Sequence, residues 1–222
     1  MPLRLFFIIN IRTYILVRGI IVFYSYKKTQ LEKWLETLYL NHGICNPDDL
    51  TIENVANKLS INVECMAGAK EVAIWDEEDA VIFLNPNKPE AKVREIFFHE
   101  LCHPLRHYGD QAGSNKLFVT LQEQQANQFT LYSSMPFFMI EQLELPEFEY
   151  QLAPLIALVF HIPLDLAQRR VDQIKRRVQQ SDLDNEFLKQ QSNYKKSYDP
   201  VNWTSETKAI MDQLYSQLKG AL

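Results

Sequence analysis

Residues 93–103 carry two patterns at one helical period. Val93, Phe97 and Leu101 recur every four residues as an apolar stripe, and His99 and His103, also four apart, fall on the opposite side. A helix with this sequence has to lie at the margin of a core, one face buried and the other lining a cleft. Residues four apart on a helix stand one turn above each other, so the two imidazoles can grip one Zn²⁺ at about 2.0–2.1 Å. Glu100 projects about 100° round the axis from His99, where it can reach a water on the ion without being a ligand. The segment Phe97-Phe98-His99-Glu100-Leu101-Cys102-His103 therefore contains HExxH in the context that its chemistry needs.

A site of this kind needs a third protein ligand and one open position. A third His six residues after the second is excluded, because that position is Gly109, and Arg106 stands where the extended motif needs glycine. His107 is a candidate, but ligands at 99, 103 and 107 along a straight helix diverge over about 12 Å of rise. Glu123 is the better candidate. It lies on the next expected helix, 20 residues after His103, and is the only carboxylate between Asp110 and Glu141. Ala126, one turn further, is small enough to let the two helices approach. Pro104 directly follows the second His. It removes the bond to the Glu100 carbonyl, so the helix is expected to end, kink or tighten there.

The rest of the chain supplies a scaffold. Thr29 and Glu32 have capping-box spacing, and Leu31, Trp34, Leu35 and Leu38 fall on one helical face. Asn46-Pro47-Asp48-Asp49 signals a turn, followed by a short helix with Ile52, Val55, Ala56 and Leu59. Ile61–Cys65 alternates like a strand. Val72–Trp75 and Ala80–Leu84, split by Asp76-Glu77-Glu78-Asp79, read as a β-hairpin. Asn87 and Glu90 are a cap pair for the HExxH helix, with Pro89 in its first turn. Further helices are expected over about 119–134, ending at Met135-Pro136, over 152–180 with a break at Ile162-Pro163, and over 204–218. Residues 181–200 are polar and charged, as in a linker.

Hydrophobic residues are 46% and charged residues 23% of the 222, which excludes a disordered chain and leaves material for a core. All five ionised side chains of residues 1–30 are basic, and the remainder holds 18 basic and 28 acidic ones. Residues 1–26 are thus an apolar, basic leader. Arg12 and Arg18 interrupt it too often for a membrane span, and it lacks the small-residue cleavage site of a signal peptide. An extension outside the fold is favoured over membrane association. Cys45, Cys65 and Cys102 are an odd, widely spaced set without CxxC, which reads as reduced thiols in the cytoplasm.

HELCH, a polar loop, Glu123-x-x-Ala126-Asn127-x-Phe129 and Met135-Pro136 together resemble the ImmA/IrrE family of metallo-endopeptidases. Phe137-Phe138-Met139-Ile140 is similar to members carried by phages and integrative elements. The resemblance spans about residues 27–180, with its specific motifs within 96–140. It implies an α+β fold: a mostly helical, zincin-like minimal metalloprotease domain with a small antiparallel β-sheet, followed by a C-terminal helical region. The expected divisions are a leader (1–26), the metallopeptidase domain (27–148), a helical extension (149–180), and a charged linker with a terminal helix (181–222). The implied activity is zinc-dependent endoproteolysis of a protein substrate, a helix-turn-helix transcriptional repressor. His99, His103 and Glu123 would be ligands of Zn²⁺ and Glu100 the catalytic base. Gln125 departs from the family, where a second acid is common at that position. His107 and Tyr108 are close enough in sequence to be considered as oxyanion donors.

Two alternatives follow from other residues. Arg169, Arg170, Lys175, Arg176 and Arg177 cluster in a helix–break–helix region, as in a DNA-binding regulator, although the acidic body disfavours nucleic acid. A non-catalytic zinc-containing module, with Pro104 as its sign of decay, is the other. The acidic stretch with Glu141, Glu144, Glu147 and Glu149 is a candidate contact for a basic partner.

Overall fold

The computed structural model describes residues 23–107, 116–197 and 199–219. Residues 1–22 of the leader, and Tyr108 and Gly109, lie outside the described residues. The chain divides after Arg176 into two compact units.

The first unit begins at a 3₁₀ turn, Phe23–Ser25, and the helix α1, Gln30–Asn41. The capping box forms as the spacing requires: Glu32 N–H donates to the Thr29 hydroxyl (3.0 Å), and Thr29 N–H donates to the Glu32 carboxylate (2.7 Å). Leu35 and Tyr39 are fully buried and Glu32 is buried beside them, so the inward face of α1 is rotated from the expected stripe. The turn at Pro47–Leu50 leads to α2, Ile52–Lys58, which buries Val55 and Ala56.

Strands β1 (Asn62–Cys65), β2 (Val72–Trp75) and β3 (Ala80–Leu84) form one sheet in the order β1-β3-β2. The expected hairpin is present with its expected bounds, and Asp76 closes it by accepting from Glu78 N–H (2.9 Å) and Asp79 N–H (2.8 Å). The sheet is mixed rather than antiparallel, because β1 pairs parallel to β3. This leaves β2 as an edge strand. Ile82 and Leu84 of β3 point into the core and are almost fully buried.

The HExxH helix is α3, Glu90–Arg106, and it packs on β2, β3 and the following helix α4, Lys116–Ser133. Its start differs from expectation. Pro89 occupies the N-cap position, no side chain caps the helix, and Asn87 N–H donates instead to the Asn85 carbonyl oxygen of the side chain (3.1 Å). Nor does Pro104 end the helix. α3 runs two residues further, and His107 N–H closes on the His103 carbonyl at 2.9 Å. A proline one turn from a C-terminus costs one bond, which packing on both the sheet and α4 offsets. Met135-Pro136 ends α4 as expected and leads into α5, Phe137–Ile140, all four residues of which are buried.

α6 (Leu152–Phe160) breaks at His161, which adopts a left-handed conformation (φ 52°, ψ 49°), and α7 starts at Leu164. Arg170 of α7 is fully buried. Its guanidinium donates to Glu32 (2.9 Å), to the Met135 carbonyl (3.2 Å) and to Gln173, and lies over the Tyr132 ring. Tyr26 donates to the same Glu32 and stacks on Phe137 with ring centroids 3.8 Å apart; Phe23 meets that ring edge-on. The last residues of the expected leader therefore pack into the fold.

This cluster makes folding acid-sensitive. Burial favours the neutral Glu32 carboxyl, but Arg170 and the donors Thr29 N–H and Tyr26 outweigh it and hold the group below its ordinary value of 4.5. A depressed carboxyl contributes stability at pH above 4.5 that is lost as the pH falls through the lower folded-state value. Thermal melts across that range are expected to show a steeper acid limb for the native chain than for Glu32→Gln. Equal limbs would count against Glu32 as the group responsible.

The second unit, Arg177–Leu222, contains the end of α7, which is helical to Ser197, and α8, Ser205–Lys219. Residues 181–197 are thus helix where a linker was expected. They contain neither proline nor glycine, and Leu, Lys, Gln and Glu are good helix formers. No described helix is long and apolar enough to cross a membrane.

Candidate metal centre

α3 buries Phe97, Phe98, Leu101 and Cys102 completely and leaves His99 and Glu100 half-exposed at the edge of a cleft. Val93, expected in the buried stripe, is half-exposed at its margin. His103 is buried, at 4% exposure. The cleft has a volume of about 330 Å³ and is lined by Glu71, Lys88, Ile96, His99, Glu100 and Arg169, among others.

α4 delivers Glu123 opposite the two rings. Ala126, one turn further along α4, is fully buried, and α3 and α4 pack on each other. One Glu123 carboxylate oxygen is 3.2 Å from His99 Nε2, and the other is 3.8 Å from His103 Nε2. Two donors bound at about 2.0–2.1 Å to one tetrahedral ion stand about 3.4 Å apart. The spacing and the donor chemistry, two imidazole nitrogens and a carboxylate, both fit a divalent ion such as zinc. Ligand atoms of His99, Glu100 and His103 also lie within 4.8 Å of one another, so Glu100 borders the same point.

Glu100 is held differently from Glu123. Its Oε2 accepts the backbone N–H of Ala73 on the edge strand β2 at 2.9 Å. Burial raises its pKa, opposed by His99 and by that hydrogen bond, and assisted by the negative charges of Glu123 and Glu71. A carboxylate with a raised pKa on a cleft wall is suited to exchanging protons with water. Burial lowers the His103 pKa to about 4, so the ring is neutral at pH 7 and offers a lone pair.

His107, the alternative ligand, does not face Glu123. The chain leaves α3 at this residue (φ −109°, ψ 140°), and its Nδ1 lies 3.0 Å from His103 Nδ1 on the far side of that ring. Its Nε2 is 3.2 Å from Gln125 Oε1. Both ring nitrogens are thus engaged behind the site, not directed at an oxyanion. Trp75 of β2 completes the arrangement. It stacks on His103 (centroids 5.8 Å apart, planes 19° apart) and donates its indole N–H to the His107 carbonyl at 3.3 Å. Nothing in the sequence near Trp75 signals this, since it requires the packing of β2 against α3.

Three of the five basic residues suggested for DNA are engaged within the chain or line the cleft. Arg170 is buried on Glu32, Lys175 pairs with Glu149, and Arg169 lines the cleft. The acidic stretch is likewise partly consumed within the chain, Glu141 by Lys28 (3.2 Å) and Glu149 by Lys175.

A family profile described as Peptidase_M78, the IrrE N-terminal-like domain, matches residues 39–172. The chain belongs to the Peptidase_M78 family. This agrees with the ImmA/IrrE resemblance of its motifs and with the mostly helical fold. Among curated relatives, this Peptidase_M78 chain is 36% identical over 149 residues to the phage-like element PBSX protein XkdA of Bacillus subtilis (strain 168), covering 67% of this chain and 75% of that protein. It is 26% identical over 155 residues to the uncharacterized protein YqaB of the same organism, covering 70% of this chain and 90% of the other. Membership supports a metallopeptidase-type role, and the first relative is a phage-related protein.

Proposed function

We propose that this Peptidase_M78 chain is a zinc-dependent endopeptidase that cleaves a helix-turn-helix repressor of a phage or mobile element. The observation that carries the reading is the convergence of His99, His103 and Glu123 from two helices, with Glu100 beside them. The likeness to a phage-like element protein supports the genetic setting. A repressor substrate places the activity in the cytoplasm.

His99 Nε2, His103 Nε2 and Glu123 would hold the ion. When bound, it supplies Lewis acidity toward water and toward a peptide carbonyl. Glu100 accepts the proton of the attacking water and returns it to the leaving amine. Its tether to Ala73 N–H fixes one oxygen and leaves the other for that transfer. The Trp75 ring covers one side of His103 and limits the water that reaches it.

The purified chain is expected to hold one zinc ion and to cut a helix-turn-helix repressor of the mobile element that encodes it. A chain without zinc, or a zinc-loaded chain that leaves the repressor intact, would overturn the reading. Glu123→Ala is expected to weaken zinc binding by more than about 100-fold, since a ligand matters more than its supporting partners. Competition with a chelating dye measures this directly.

A further inference from the structure

Two nitrogens of neighbouring imidazoles, His103 Nδ1 and His107 Nδ1, lie 3.0 Å apart in a buried environment, and the outer nitrogen of the second meets a side-chain amide. We propose that His107 and Gln125 form a relay that fixes His103 in the tautomer a metal ion requires. His107 is thereby a positioning residue, not a ligand. The inference rests on reading His99, His103 and Glu123 as the metal site, and it assigns the residues that hold one of the ligands ready.

The protons can be placed by elimination. His103 turns Nε2 toward Glu123, so Nε2 is the nitrogen that must carry a free lone pair. A neutral imidazole has one N–H, which is then on Nδ1. At 3.0 Å, two ring nitrogens form a hydrogen bond only if one is protonated and the other bare. His107 Nδ1 is therefore the acceptor, and its own proton sits on Nε2. That N–H meets an acceptor, the Gln125 amide oxygen, at 3.2 Å. The direction of the chain is set by His103 Nε2 facing the metal position, and the Gln125 amide presents the oxygen that this direction requires. With His103 protonated on Nε2 instead, its Nδ1 would be bare and the lone pair would face away from the metal position.

The backbone holds the second ring in register. His107 N–H donates to the His103 carbonyl at 2.9 Å, and the His107 carbonyl accepts the indole N–H of Trp75. His107 is only 7% exposed, which keeps water from substituting for either partner. Partners that donate to or accept from the second nitrogen of a ligating histidine typically contribute about 10- to 100-fold in metal affinity.

The test compares Zn²⁺ affinity, by competition with a chelating dye, in the full-length native chain, His107→Phe, His107→Asn and Gln125→Leu. The phenylalanine variant keeps the ring and loses the acceptor, and a loss of about 10- to 100-fold is expected. The asparagine side-chain oxygen stands where His107 Nδ1 stood, so His107→Asn is expected to regain most of that loss, with Gln125→Leu in between. A role in packing alone predicts the opposite order, with phenylalanine the better tolerated. Long-range ¹H–¹⁵N spectra of the zinc-loaded native chain should show His103 protonated on Nδ1 and His107 protonated on Nε2. Native zinc affinity in His107→Phe, an asparagine variant no better than phenylalanine, or a proton on His107 Nδ1 would each overturn the relay alone. A native chain that binds no zinc would overturn the metal-site reading and the relay with it.

Discussion

Glu100→Gln is expected to leave zinc bound and to slow repressor cleavage by about 10²–10⁴-fold, the usual contribution of a positioned general base. The two side chains have the same shape, and the amide oxygen can still accept the Ala73 N–H that holds the native carboxylate. What disappears is the ability to take a proton. Zinc content and single-turnover cleavage rates, measured on the same preparation, separate this effect from metal loss. Undiminished proteolysis would remove Glu100 from the mechanism, and loss of zinc would make it a ligand. The contrast with Glu123→Ala, where zinc itself is weakened, distinguishes two carboxylates that lie within a few ångströms of the same rings.

The second large effect concerns stability. Arg170→Met is expected to cost about 3–5 kcal/mol, because it leaves the buried Glu32 carboxylate without its main counter-charge. For a chain of this size that corresponds to a fall in melting temperature of roughly 10 °C. The double variant Arg170→Met with Glu32→Gln should recover part of the loss, since the uncompensated charge is then gone. A single variant as stable as the native chain would show the pair to be dispensable. The cost arises from three elements at once: Arg170 on α7 also holds the Met135 carbonyl at the end of α4, and its Glu32 partner begins α1.

Much of this arrangement is legible in the amino-acid order. HExxH supplies its own geometry, because a four-residue spacing and a helix fix where two rings go. The hairpin bounds follow from two β-rich runs split by four acidic residues, and the Thr29 capping box from a three-residue spacing. Glu123 could be singled out because acids are absent around it. What depends on distant contacts was not legible. The parallel pairing of β1 with β3 places β3 between β1 and β2, an order that the alternation within β1 does not encode. Arg170 reads as one member of a basic run, and only its proximity to Glu32, 138 residues away, makes it a core residue. His107 reads as a weaker alternative to Glu123, because three ligands along a straight helix diverge, but nothing in its spacing shows where its ring goes. The extended backbone at the end of α3 turns its ring behind His103.

The anchor of Glu100 has a different kind of durability. A main-chain amide is supplied by every residue type except proline, so mutation at position 73 cannot easily delete it, whatever it does to side-chain fit. Lineages are free to exchange the residue there for others of similar bulk and still inherit a correctly tethered carboxylate. A shift of the strand by one residue, by contrast, would present the neighbouring amide in the opposite direction and release it at once. Tolerance to substitution at this edge therefore depends on the alignment of the ribbon more than on the identity of its members.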